Sequence, residues 1–187
     1  MKKYFIALGS NLETQNLSRL ETINTALRCF SQFSINLIQV SSFWESRSYP
    51  DLSQPNFINA VSAVHSELNP YQILHKLKTI EKKMGRKNKT RWENRVLDLD
   101  IIGSGSIILP NKFVFNKWLK MPLQKQIKNQ PDELILPHPR IQDRLFVLQP
   151  LSEVDPHWTH PVLNKTPLEL INRKGWGEKN FLKKIEN

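Results

Sequence analysis

The stretch RWENRVLDLDII, residues 91–102, constrains the fold of this 187-residue chain more than any other. Side chains alternate faces along a strand, so Leu97, Leu99 and Ile101 project to one side. Asp98 and Asp100 leave together from the other, roughly 7 Å apart at their Cα atoms. The leucines belong in a core. If helices cover that side, both carboxylates stand on the open face of a sheet, where two hard oxygen ligands can hold Mg²⁺ together with substrate phosphates. The same alternation also fits a plain exposed face whose acids pair with nearby arginines. In the metal-binding reading the two acids repel one another in the empty protein.

The remaining sequence supplies the sheet and its helices. "YFIAL" followed by "GSN" reads as a strand ending in a turn, and Leu17, Leu20, Ile23, Leu27 and Phe30 then recur at helical spacing to about Phe33. "INLIQVSSFWE" and "FINAVSAVHSEL" alternate as strands on either side of the turn-rich "SRSYPDLSQPN". Asn69 caps and Pro70 opens a helix whose apolar stripe is Ile73, Leu74, Leu77, Ile80 and Met84, closed by Gly85. A basic loop, Arg86 to Asn94, leads into the strand Arg95 to Ile102. The order β-α-β-β-α-β predicts an α+β, ferredoxin-like split arrangement: an antiparallel sheet with its helices on one face, the other face free for ligands, and a C-terminal extension. A single domain is expected over residues 1–187. Residues 103–133, with an aromatic patch at Phe113, Phe115 and Trp118, read as an insertion, and deletion of much of Asn111 to Gln130 is expected to leave a folded chain. Beyond it comes a structured loop leading into a short helix, and Pro167 to Ile171 start another.

Composition narrows the function. No run approaches the ~18 to 20 apolar residues of a membrane span, and the apolar part of the N-terminus is shorter than that of a secretory signal. The lone Cys29 suits a reducing cytoplasm. Net charge is +10, and between Lys76 and Arg95 nine Lys and Arg stand against Glu81 and Glu93, so +7 of it lies beside the aspartates. Arginines that hold phosphate oxygens while metal takes the remaining charge are the parts of phosphoryl transfer. RNA binding is the rival, since the same layout serves RNA recognition; yet no aromatic-rich "GFGFVxF" strand is present and two central acids would repel a nucleic-acid backbone. No G-x-x-x-x-G-K-[ST] loop exists, so phosphates fall to side chains and metal. His157-x-x-His160 lacks a third ligand for a metal.

Taken in order, "ALGSNL", "VSSFWES", "QPNFINAV", "IEKKMGR", "RWENRVLDLDII" and "LILPHPRIQDRLFVLQPLSEV" resemble the hydroxymethyl-dihydropterin pyrophosphokinase family of folate biosynthesis, over residues 4–102 and 134–156. The resemblance implies transfer of pyrophosphate from ATP to a pterin alcohol, with two Mg²⁺ ions on Asp98 and Asp100. It implies that Arg86, Arg91, Arg95, His138 and Arg144 contact the triphosphate, that Leu74, Lys78 and Glu81 lie near the nucleotide, and that Arg86 and Arg95 act in catalysis with the two aspartates. Phe57 and Phe146 would sandwich the pterin ring. Asn59 would bond its amide-like edge, Ser46 and the backbone near Tyr49 would complete the pocket, and Trp92 would close over it. Two phenyl faces suit a flat heteroaromatic, and an Asn offers donor and acceptor to its edge. Partners are then ATP and the pterin alcohol, with no nucleic acid or membrane, and the chain is expected as a monomer or weak dimer.

The chain departs from that pattern in places. "SRSYP" stands where a Thr-x-Pro-x-Gly loop is usual, Glu93-Asn94 where Gly-Pro is, and Lys78 where a Gln is. These changes bear on nucleotide affinity and rate, and they keep open a second reading, a paralogue that binds pterin or nucleotide with little turnover.

Overall fold

The computed structural model describes residues 1–48, 51–86, 94–122, 124–125, 129, 131–173, 175–177 and 181–186. Six strands and five helices are defined among them: β1 Lys2–Ser10, α1 Arg19–Cys29, β2 Asn36–Val40, β3 Trp44–Ser46, β4 Phe57–Ser66, α2 Pro70–Lys83, β5 Asp98–Gly103, α3 Lys112–Lys120, α4 Leu145–Val154, α5 Pro167–Arg173 and β6 Leu182–Lys184. All pairings are antiparallel. The sheet order is β5-β1-β4-β3-β6, with β2 also paired to β4.

Local chemistry sets the helix ends. Ser18 accepts from Glu21 N–H and receives the glutamate in return, a reciprocal cap that starts α1. Asn69 and Gln72 do the same for α2, with Pro70 already fixed at a helical φ. The first helix is shorter than the periodicity predicts, because the chain tightens into a 3₁₀ turn at Phe30–Phe33 and reverses at Ser34, φ 61°. "INLIQVSSFWE" is likewise two strands rather than one, broken at Ser41–Phe43, where Ser41 donates its N–H to Val61 and its hydroxyl accepts from the Val61 N–H.

The two faces of the sheet are packed differently. Tyr4, Ile6, Leu8, Ile58, Ala60, Leu97, Leu99 and Ile101 meet α1 and α2 through Ile23, Leu27, Ile73, Leu77 and Ile80. That face is as expected. The opposite face is not left free: Phe5, Val61, Ala63 and Ile102 are covered by α4 and α5 through Val147, Leu148, Leu151 and Leu170. Both helices of the split order thus share one face, and it is the expectation of a wholly free second face that is corrected. Apolar residues of the C-terminal segment need burial too, and only the half of the second face carrying Phe5 and Ala63 is apolar enough to receive them. α4 is fastened at its far end by Glu153, whose carboxylate accepts from Ser42 N–H at 2.7 Å and Trp44 Nε1–H at 3.1 Å. At Gly103 an added Cβ would lie 2.9 Å from the Trp158 ring, so the indole lies directly on the backbone there.

Within the segment read as an insertion, Asn111 caps α3 and its Phe115 is fully buried, 5.6 Å from the His160 ring. Part of that segment therefore belongs to the interior. β6 was not foreseen; it pairs Leu182, Lys183 and Lys184 with Ser46, Glu45 and Trp44. No described helix is long and apolar enough to cross a membrane.

Candidate active site

The registers bring the acids and the strand residues that the resemblance assigns to the pterin ring onto one face. Gly9 pairs with Asp98 on one side and Asn59 on the other, and Asn59 pairs with Trp44. Asp98, Gly9, Asn59 and Trp44 thus form one row across four strands, with Asp98 and Asn59 about 10 Å apart by ordinary strand spacing. Asp100 lies one row on, beside Ala7. The next residue on this face, Ile102, is already under α4. What remains open is the end of the sheet floored by Gly9 and Ala7. A Cβ at Gly9 would meet Phe57 at 3.6 Å and Asn59 Oδ1 at 3.8 Å, both ordinary contacts. The missing side chain keeps clear the space between the acids and the asparagine.

On the acid side the cations are already engaged. Asp98 Oδ1 accepts from Arg86 at 2.8 Å and Arg95 at 2.6 Å, and Lys78 Nζ reaches Asp100 Oδ1 at 3.5 Å. The expected mutual repulsion of two unpaired acids is corrected, because each has a cationic partner in the free protein. Burial disfavours charge on Asp100, although 35% of its side chain is exposed. Lys78, His138, Arg144 and Arg95 outweigh that penalty and hold its carboxyl well below the usual carboxylate range.

His138 and Arg144 come from the turn before α4. Burial and the neighbouring Arg144 push the His138 imidazole down to about 3, so it is neutral at pH 7. Its Nδ1 accepts from the Arg140 N–H at 3.1 Å, which leaves Nε2 as the N–H donor. Burial also lowers Arg144, which stays a cation and sits 5.9 Å from the Phe146 ring.

On the ring side Asn59 is 5% exposed, and its amide N–H₂ donates to Ser46 Oγ at 2.9 Å and to the Trp44 carbonyl at 3.3 Å. Its Oδ1 lies toward Gly9. Phe57 is half-buried at the start of β4, and Phe146, also half-buried, packs against the α4 cluster.

Two assigned residues are engaged with the protein itself. Glu81 faces inwards, 2% exposed, and accepts from Arg86 at 2.6 Å, Lys78 at 2.9 Å and the Leu99 N–H at 2.7 Å. Burial raises its pKa against the pull of Lys78. It positions the two cations and the backbone of β5. Leu74 is half-buried against the core, one helical turn before Lys78. Tyr49, Arg91 and Trp92 lie outside the described residues.

Asn11 was read only as part of a turn, yet it fixes Arg95. Its Oδ1 accepts from the Arg95 N–H at 2.7 Å, and its amide donates to Asn94 Oδ1 at 2.7 Å and Pro55 O at 3.2 Å. A 2%-exposed Asn after a strand-ending Gly-Ser is a polar group that must find partners, which is the signal the sequence held.

The donor set suits Mg²⁺. Among the described residues no group of three or more His, Cys, Asp or Glu forms a closed metal cage. Two carboxylates alone match an ion that keeps waters and shares substrate phosphates.

Residues 5–156 match the model of the 7,8-dihydro-6-hydroxymethylpterin-pyrophosphokinase (HPPK) family. The chain is 35% identical over 151 residues to a 2-amino-4-hydroxy-6-hydroxymethyldihydropteridine pyrophosphokinase of Haemophilus influenzae, covering 80% of this chain and 79% of the relative. It is 32% identical to the Bacillus subtilis protein of the same name, over 80% and 76%. Among solved structures, wild-type HPPK-DHPS of Plasmodium falciparum superposes with a TM-score of 0.63 at 18% identity, covering 92% of this chain and 41% of that one, a likeness of fold. With the family's matched span running from β1 to just past the end of α4 and enclosing both aspartates, Asn59 and both phenylalanines, the chain belongs to the 7,8-dihydro-6-hydroxymethylpterin-pyrophosphokinase family.

Proposed function

We propose that this chain transfers pyrophosphate from ATP to the hydroxymethyl group of 6-hydroxymethyl-7,8-dihydropterin, releasing AMP, in folate biosynthesis. The observation that supports the reading is the row Asp98–Gly9–Asn59, an acid and an asparagine on one face with a glycine between them. The pterin ring lies between Phe57 and Phe146, gaining two aromatic faces. Asn59 Oδ1 accepts from an N–H of its edge, while Ser46 holds the asparagine amide in that orientation.

Asp98 and Asp100 would hold two Mg²⁺ ions beside the triphosphate, a group that would supply neutralisation of phosphate charge. Arg86 and Arg95 exchange their bonds to Asp98 for phosphate oxygens, with Arg144 and the His138 Nε2–H as further donors. The pterin hydroxyl attacks the β-phosphorus in line, and AMP departs. Its proton leaves to solvent or phosphate, because no strong protein base adjoins the ring site among the described residues; rate then depends on placing the reactants and on charge stabilisation. Lys78 and Leu74 line the nucleotide side.

We also read the strand and helix order as a ferredoxin-like split β-α-β-β-α-β core. β1 and β4 at its centre, α1 and α2 on one face and the later α4 and α5 on the other support this. Incubation of the chain with Mg-ATP and the pterin alcohol tests the function: AMP should appear in step with pterin consumption. Binding of both without AMP would favour a non-catalytic paralogue.

A further inference from the structure

Among the described residues β5 ends the sheet, with no strand paired to its outer edge. Open peptide groups on such an edge need other partners. At Leu99, between the two aspartates, both come from α2. The Leu99 N–H donates to Glu81 Oε1 at 2.7 Å, and its carbonyl accepts from Lys78 Nζ at 3.0 Å. Lys78 and Glu81 are themselves paired at 2.9 Å. One ion pair thus stands in for an absent strand and fixes the peptide from which both acids diverge.

The same ammonium reaches Asp100 Oδ1 at 3.5 Å, so its three donors all meet acceptors around the acid pair. This cation differs from Arg86 and Arg95. They bind Asp98 from the ends of the basic loop and can turn toward phosphate. Lys78 shares the buried Glu81 carboxylate with Arg86 but is also tied to the Leu99 backbone carbonyl of β5 itself.

We propose that Lys78 is a resident cation that sets the metal affinity of the carboxylate pair: it engages Asp100 in the free protein and opposes a divalent ion there until the nucleotide phosphates bring their own negative charge. Metal then enters with the nucleotide rather than before it. This rests on the reading that Asp98 and Asp100 take metal. A fixed positive charge a few ångströms from a divalent ion in a largely solvated setting lowers its affinity by about tenfold.

Mn²⁺ is the probe, titrated calorimetrically or by its EPR signal into the full chain without nucleotide. Lys78→Gln keeps an N–H donor for Leu99 but removes the charge, and it should bind Mn²⁺ about tenfold tighter than the parent. Lys78→Arg keeps the charge and should stay within twofold of the parent, an outcome that a purely structural role for the side chain would not separate from the Gln variant. Lys78→Met serves as the second neutral variant if Lys78→Gln does not fold. Asp100→Asn is the control for the site itself. Weakened Mn²⁺ binding in Asp100→Asn together with unchanged binding in the neutral Lys78 variants would overturn this inference and leave the metal reading standing. Undiminished Mn²⁺ binding in Asp100→Asn would instead overturn the metal reading.

Discussion

Replacing Asp98 by Asn tests the site and its packing together. Asp98 Oδ1 takes Arg86 at 2.8 Å and Arg95 at 2.6 Å, and all three side chains are between 22% and 24% exposed. Charge-assisted bonds of this kind contribute about 1.5–3 kcal/mol each. Asn still offers one carbonyl oxygen, Arg86 retains Glu81 at 2.6 Å, and repulsion from Asp100 is relieved. The net cost is then about 2 kcal/mol. For a chain of 187 residues that corresponds to a melting temperature lower by roughly 4–8 °C. Asp100→Asn loses only the longer contact with Lys78 at 3.5 Å and should cost about 1 kcal/mol or less. Turnover should fall by on the order of 10² or more in both, because a charge needed at the metals and the transition state is gone. Differential scanning calorimetry and AMP release measured on the same preparations check both parts. An unchanged or raised melting temperature in Asp98→Asn would refute the arginine clamp. Near-normal AMP release from either variant would refute the metal assignment, whatever the melting data say.

Asn11→Ala should raise the KM for ATP by about tenfold with a smaller change in pterin binding, since the lost side chain positions Arg95 at the triphosphate side; steady-state kinetics with each substrate varied decides it. Phe115→Ala should cost about 3–5 kcal/mol in urea unfolding, as for other large buried aromatics, whereas a loss under 1 kcal/mol would return α3 to the status of a removable insertion. His160 is fully buried, its Nδ1 accepts from the Val162 and Leu163 N–H groups, and burial pushes it down to about 4. The unfolded chain, with an ordinary histidine near 6.5, takes up the proton first. The contribution is therefore complete above that value and falls by about 2 kcal/mol by pH 5. Urea midpoints at pH 7 and pH 5 should show the drop in the parent chain and a smaller one in His160→Asn.

Local signals carried much of this fold. Ser18, Asn69, Pro70 and Gly85 punctuate helices through groups within four residues of themselves, so α1 and α2 were legible without knowledge of the rest. The alternation Leu97, Asp98, Leu99, Asp100 fixed which side chains share a face, because a strand has period two whatever it pairs with. The split of the second strand at Ser41–Phe43 was not legible, since it depends on Val61 and Glu153 from distant segments. Nor was α3, where a buried Phe115 and an Asn111 cap stand in a stretch otherwise rich in lysine and glutamine.

For the site, residue types and spacing named the acids and the cations, and the resemblance named the proposed ring-stacking pair, but neither said who holds whom. Arg86 and Arg95 on Asp98, Lys78 on Asp100 and on the Leu99 carbonyl, and Asn11 on Arg95 join residues that the chain separates by 3 to 84 positions. Only pairing registers can set such partners. Gly9 opposite both Asp98 and Asn59 is one choice of register, and a shift of one residue in either pairing would have sent an acid or the asparagine into the core. The sequence by itself determined the two faces of each strand and the ends of its helices, because those follow from neighbouring backbone geometry. Tertiary structure alone decided that α4 and α5 close half of the second face and leave the end over Gly9 open, because that depends on where the C-terminal segment finds apolar surface to bury.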